Sequence, residues 1–186
     1  MKHYHQPGDC HELTFSCFDR KPLLADDDRC RLLSEYIDRA IVRHGFHLVS
    51  FVFMPEHVHL IVYPEKPAMA EVSGLLKGLK QPYARHIKKL LEAESRRLLD
   101  ELTVRERPGK TAFRFWQEGG GFDRNLTSSH ATLIAIDYIH MNPVKRGLVV
   151  KPSDWKWSSY HRYERPHEPL DPDLPKVHGL PATYLL

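Results

Sequence analysis

The chain has 186 residues, 41% of them hydrophobic, with a formal net charge of +3. That length suits one domain with a real core, and the mild basic excess permits a nucleic-acid partner without requiring one. No run approaches the ~20 apolar residues of a membrane span, and the polar, His-rich start from Met1 to Cys10 does not read as a signal peptide. The three cysteines, Cys10, Cys17 and Cys30, have no CxxC spacing. They point to a reducing cytoplasm rather than a disulfide framework.

In chain order, His11 to Phe18 alternates as a strand, and Arg20-Lys21-Pro22 breaks it. Asp26-Asp27-Asp28 supplies acids for a helix N-terminus. A helix follows over Arg29 to His44, and Gly45 stops it. Phe46 to Met54 and Val58 to Tyr63 are strands joined by a short corner, hence an antiparallel hairpin. Pro64 to Pro67 reads as a turn, followed by a helical stretch from about Ala70 to Leu79. Pro82 predicts a kink or a restart, with a second helix reaching about Leu102. Arg96 to Lys110 reads as a charged surface excursion. Ala112 to Gln117 is the expected fourth strand, and the glycine run after it a bulge or hinge. Thr127 or Ser128 caps a last helix that Asn142-Pro143 ends. The tail carries Trp155, Trp157 and Tyr160, and from Pro166 its prolines predict an extended wrap. The division is therefore a domain over 1–165 and a Pro-rich tail over 166–186. The order βαββαβα fits an α+β fold, a single antiparallel ferredoxin-like sheet with helices on one face.

Chemistry concentrates in Phe53-Met54-Pro55-Glu56-His57-Val58-His59-Leu60-Ile61-Val62. Residues two apart in a strand share a face. His57 and His59 therefore stand side by side, half of a site for a divalent cation. Tyr138 and Asn142 lie one helical turn apart. Alone, Tyr138 reads as a packing aromatic and Asn142 as a helix C-cap. Together with the histidines they suggest a phenol attacking a phosphodiester that a cation polarises, with the Asn142 carbonyl as third ligand. Mg²⁺ or Mn²⁺ accepts such mixed ligands. Between Lys77 and Lys89 the chain is basic and free of acids, so Lys77, Lys80, Arg85, Lys88 and Lys89 are candidate DNA-backbone contacts. Arg124, Lys145 and Arg146 are further ones.

Met54 to Leu60, with Asp137-Tyr138-Ile139-His140-Met141-Asn142-Pro143-Val144-Lys145-Arg146-Gly147-Leu148 and Asp154-Trp155-Lys156-Trp157-Ser158-Ser159-Tyr160, resembles the REP-associated tyrosine transposases. These belong with the single-tyrosine HUH transposases. The resemblance runs from about His11 to Tyr160. It implies the HUH endonuclease fold, His57 and His59 as the metal-binding pair, and Tyr138 as nucleophile. Asn142 falls where relatives place a third polar ligand. It also implies single-stranded DNA cleavage near a palindromic hairpin through a 5′-phosphotyrosine link, in a cytoplasmic, nucleoid-associated protein that works as a monomer, or else as a dimer. The chain departs from the family at Pro82, which interrupts the basic helix, and in a longer stretch from Lys89 to Lys110. The competing readings are a non-catalytic hairpin-binding domesticated transposase, and a metal hydrolase with water as nucleophile.

Overall fold

The computed structural model describes residues 9–66, 71–169 and 171–180. The turn expected through Pro67, the helix start expected at Ala70 and both ends of the chain lie wholly or partly outside them. The elements are β1 (Cys10–Ser16), α1 (Asp27–His44), β2 (Phe46–Met54), β3 (His57–Pro64), α2 (Val72–Glu94), α3 (Arg96–Glu101), β4 (Thr103–Arg107), β5 (Lys110–Phe113), β6 (Phe122–Leu126), α4 (Ser129–His140), α5 (Asn142–Lys145) and α6 (Tyr160–Glu164).

Local chemistry sets the boundaries. The Asp26 carboxylate accepts from the Arg29 amide to cap α1, and Gly45 ends it in the left-handed region at φ 65°. Ser128 caps α4 by accepting from the Ala131 amide. Pro55 and Glu56 alone turn the β2–β3 hairpin, for Met54 pairs directly with His57.

The main sheet runs in the order β2-β3-β1-β6, and every pairing in it is antiparallel. The α+β class and the single antiparallel main sheet agree with the sequence reading. The placement of the helices does not. One face of the sheet, with Leu13, Phe15, Phe51, Phe53, Leu60 and Val62, packs on α1 and α2. The other face carries Val49, Val52, Met54, Ile61 and Leu126, and α4 covers these with Ala135, Ile136 and Ile139. The reason is that the strand face holding His57 and His59, although it also carries Glu12, Ser50 and Arg124, has an apolar cluster that must be shielded from water.

The fourth strand also differs. β6 fills that place, while Lys110–Phe113 pairs instead with Thr103–Arg107 in a separate two-stranded sheet. Trp116 makes only an isolated bridge to Cys17. Gly121, at φ 83°, supplies the close approach that starts β6, since a Cβ there would collide with the Thr14 carbonyl oxygen.

Pro82 does not restart a helix: α2 runs through it, and a short α3 follows. On either side of it α2 buries Val72, Leu75, Leu76 and Leu79, then Tyr83, Ile87 and Leu91. At roughly 1.5–3 kcal/mol per large buried side chain, that packing outweighs the ~3 kcal/mol cost of an interior proline. Much of the charged excursion expected at Arg96–Lys110 is thereby ordered, as α3 and β4.

The outer edge of β2 is covered by the C-terminal segment. The Phe53 amide donates to the Trp157 carbonyl, the Ser159 amide to Phe51, and the His178 amide to Leu48. The Trp157 indole donates to Asp27 at 2.7 Å, and that of Trp155 to the Phe53 carbonyl at 2.9 Å. These aromatics anchor the tail to the domain. All three cysteines are buried, and none of the described helices is long and apolar enough to cross a membrane.

Candidate active site

His57 and His59 project from β3 onto the face covered by α4, and both are buried. Their Nε2 atoms converge to 3.0 Å. Thr14, the direct β1 partner of His59, puts its hydroxyl 2.8 Å from His59 Nδ1. Asn142, at the start of α5, brings its side-chain amide to 3.1 Å from His59 Nε2. Amide oxygen and nitrogen exchange by a simple flip, so Asn142 can present its oxygen at the same point. Burial, with the neighbouring His57 second, pushes His59 down to about 3. Burial likewise lowers His57, opposed by Glu56. Both rings are therefore neutral near pH 7, the form that ligates metal.

Tyr138 stands beside this pair. Its ring centroid is 6.3 Å from that of His59, with the planes perpendicular. The residue is 47% exposed, so its hydroxyl is open to an incoming ligand. The Lys145 ammonium lies over the ring, 4.4 Å from its centroid. Two residues on, His140 points the opposite way, into a buried cluster with Ser50 and Ser159. That contact seats the tyrosine's helix on β2.

Two imidazole nitrogens and an amide oxygen form a donor set that Mg²⁺ or Mn²⁺ accepts, with water or phosphate oxygens completing the shell. Among the described residues no group of three His, Cys, Asp or Glu is placed to hold a metal; beside the imidazole pair stands the Asn142 amide.

The predicted cations are dispersed. Lys77, Lys80, Arg85, Lys88 and Lys89 belong to α2, behind the sheet from the histidines. Lys80 donates to the Gly119 carbonyl at 2.7 Å, and Lys88 sits 3.7 Å from Glu92. Among the described residues Lys77, Arg85 and Lys89 make no ion pair. Arg124 lies on the histidine face, paired to buried Glu12. Arg146 is 2.9 Å from Glu56. Thr14 was invisible in the sequence because only strand pairing brings it to His59. Glu56 adjoins His57 in the chain, and from sequence it reads either as an acceptor that orients a histidine or as a plain turn residue, the latter favoured.

Comparison with known proteins places the chain by sequence and by fold. The family model described as "Transposase IS200 like" matches residues 10–104. That span includes the histidine pair and ends before Tyr138. A curated protein of Haemophilus influenzae, named as a REP-associated tyrosine transposase, is 30% identical over 120 residues. The aligned part is 64% of this chain and 61% of that relative. A solved REP-associated tyrosine transposase bound to a REP hairpin superposes with a TM-score of 0.69 at 20% identity, covering 98% of this chain and 94% of that one. At that identity the likeness is one of fold. With half of its length matched by the family model and both histidines inside the match, the chain belongs to the IS200-like transposase family.

Proposed function

We propose that the protein nicks and rejoins single-stranded DNA beside a palindromic repeat hairpin, with Tyr138 as nucleophile and with His57, His59 and Asn142 holding Mg²⁺ or Mn²⁺. The observation that carries this reading is the convergence of both Nε2 atoms and the Asn142 amide beside an exposed tyrosine ring. The name of the structural relative, bound to a REP hairpin, supports the choice of DNA.

The Tyr138 hydroxyl attacks the phosphorus of the scissile phosphodiester. The phenol gives up its proton as a bond forms between phosphorus and the phenolic oxygen, and the bond to O3′ breaks. The leaving oxygen takes up a proton, giving a free 3′-hydroxyl and a 5′-phosphotyrosine. The reverse attack by a 3′-hydroxyl reseals a strand without ATP. A bound cation would supply charge stabilisation at the non-bridging phosphate oxygens. Lys145, over the phenol ring, offers a second positive charge beside the attacking group. Burial keeps both imidazoles neutral and available.

Lys77, Lys80, Arg85, Lys88 and Lys89 fit a track for the hairpin stem along α2. Lys80 touches the Gln117 and Gly119 carbonyls, so this track meets the glycine run that leads into β6. All four site residues come from one chain, which supports a monomer as the working unit.

Incubation with a labelled hairpin carrying a single-stranded flank tests the reading. Wild type should form a denaturant-resistant protein–DNA adduct. Tyr138→Phe should form none and yet bind the hairpin nearly as well. An adduct that survives this substitution removes Tyr138 as nucleophile, and hairpin binding with no adduct from wild type leaves a non-catalytic binder.

A further inference from the structure

The imidazoles are held from behind as well as converging in front. A histidine that offers its Nε2 lone pair must carry its proton on Nδ1, and a partner at Nδ1 fixes that tautomer and the ring's orientation. For His59 that partner is the Thr14 hydroxyl. For His57 it is Glu56, whose Oε1 lies 3.2 Å from Nδ1. Both residues are buried, His57 to 5% exposure and Glu56 to 9%. Neither His57 Nδ1 nor Glu56 Oε1 has an aligned hydrogen bond. The buried ring nitrogen and the carboxylate oxygen thus face each other within contact distance. A buried N–H left without an acceptor is costly, and Glu56 is the acceptor placed for this one.

A buried carboxylate needs a countercharge. Arg146 provides it, 2.9 Å from the same Oε1. Arg146 follows α5 directly, four residues after Asn142. A charged link therefore runs from the turn that carries Asn142, through Glu56, to the back of His57.

We propose that Glu56 is a positioning residue for His57, and that Arg146 holds Glu56 in place rather than contacting the DNA backbone. This rests on the reading above that His57 and His59 hold the cation. It reassigns one of the cations that the sequence had suggested for phosphate.

Two measurements on the full chain test it. The first is Mn²⁺ binding to DNA-free protein, read by the loss of the free-ion electron paramagnetic resonance signal. Glu56→Gln should weaken binding by about tenfold or more, the usual effect of losing an outer partner of a ligating histidine. Arg146→Gln, one step further out, should weaken it by about threefold, and Arg146→Lys should recover part of that loss. The second is the salt dependence of binding to a DNA hairpin with a single-stranded flank. Arg146→Gln should keep the wild-type slope. A slope reduced by about 0.7–0.9, with Mn²⁺ affinity unchanged, would make Arg146 a phosphate contact and overturn the proposal. Wild-type Mn²⁺ affinity in both Glu56→Gln and Arg146→Gln would also overturn it. A wild-type protein that binds no Mn²⁺, or a His59→Ala variant that binds it equally well, refutes the cation site itself. Arg146 is half exposed and Glu56→Gln is isosteric, so each variant is expected to fold.

Discussion

Removing the Ser159 hydroxyl should both destabilise the fold and loosen the helix that carries Tyr138. Ser159 Oγ accepts from the Phe51 amide at 2.9 Å and lies 2.7 Å from His140 Nε2 and 2.8 Å from Ser50 Oγ. All four residues are buried. In Ser159→Ala the Ser50–His140 contact at 2.9 Å survives, but the Phe51 amide loses its side-chain acceptor. An orphaned buried donor costs about 1–3 kcal/mol, so the loss should be about 2 kcal/mol. With a urea m-value of about 2 kcal/mol/M, the unfolding midpoint falls by about 1 M while m stays constant. A double-mutant cycle with His140→Phe isolates the link between the tail and α4. Their shared contact predicts a coupling of about 1 kcal/mol. Effects that add within about 0.5 kcal/mol would refute the idea that this cluster seats the helix, as would a Ser159→Ala cost below that value.

Other outcomes follow from the site and its surroundings. Gly121→Ala should cost more than about 1 kcal/mol by urea unfolding, because the new methyl meets the Thr14 carbonyl at a backbone angle of φ 83°; unchanged stability would show that the β1–β6 approach has slack. Chelation with EDTA should stop adduct formation yet spare hairpin binding, and added Mg²⁺ or Mn²⁺ should restore the adduct. An adduct formed at full rate in EDTA would mean that the phenol acts without a cation. Replacing Lys77, Arg85 and Lys89 together by alanine should flatten the slope of log binding constant against log salt by about 2–3. An unaltered slope would move the hairpin off α2.

The site was legible where its chemistry follows from local spacing. His57 and His59 share a face because strand side chains alternate, and Asn142 follows Tyr138 by one turn because helices repeat nearly every four residues. The ends of α1 were legible for the same reason, since Asp26 and Gly45 act through their own backbone neighbourhood. What failed was non-local. Phe122–Leu126 reads FDRNL, a polar border strand without β-branched residues, whereas the apolar AFRFWQ segment looked far more like a central strand. Pro82 is a strong local breaker, overruled by side chains that pack on residues distant in sequence. The second covered face of the sheet could not be seen while the histidines made it look polar. Arg124 and Arg146 counted as free cations until folding set Glu12 and Glu56 beside them.

The tail's grip on β2 also orders events in time. Both imidazoles, the phenol and the asparagine are synthesised before Trp157 and Ser159, yet the helix that carries Tyr138 rests on that later segment. A nascent chain that has emerged only as far as Val150 already has every reactive group but not the bolt that locks them in register. Order around these groups thus waits for the later segment that carries Trp157 and Ser159.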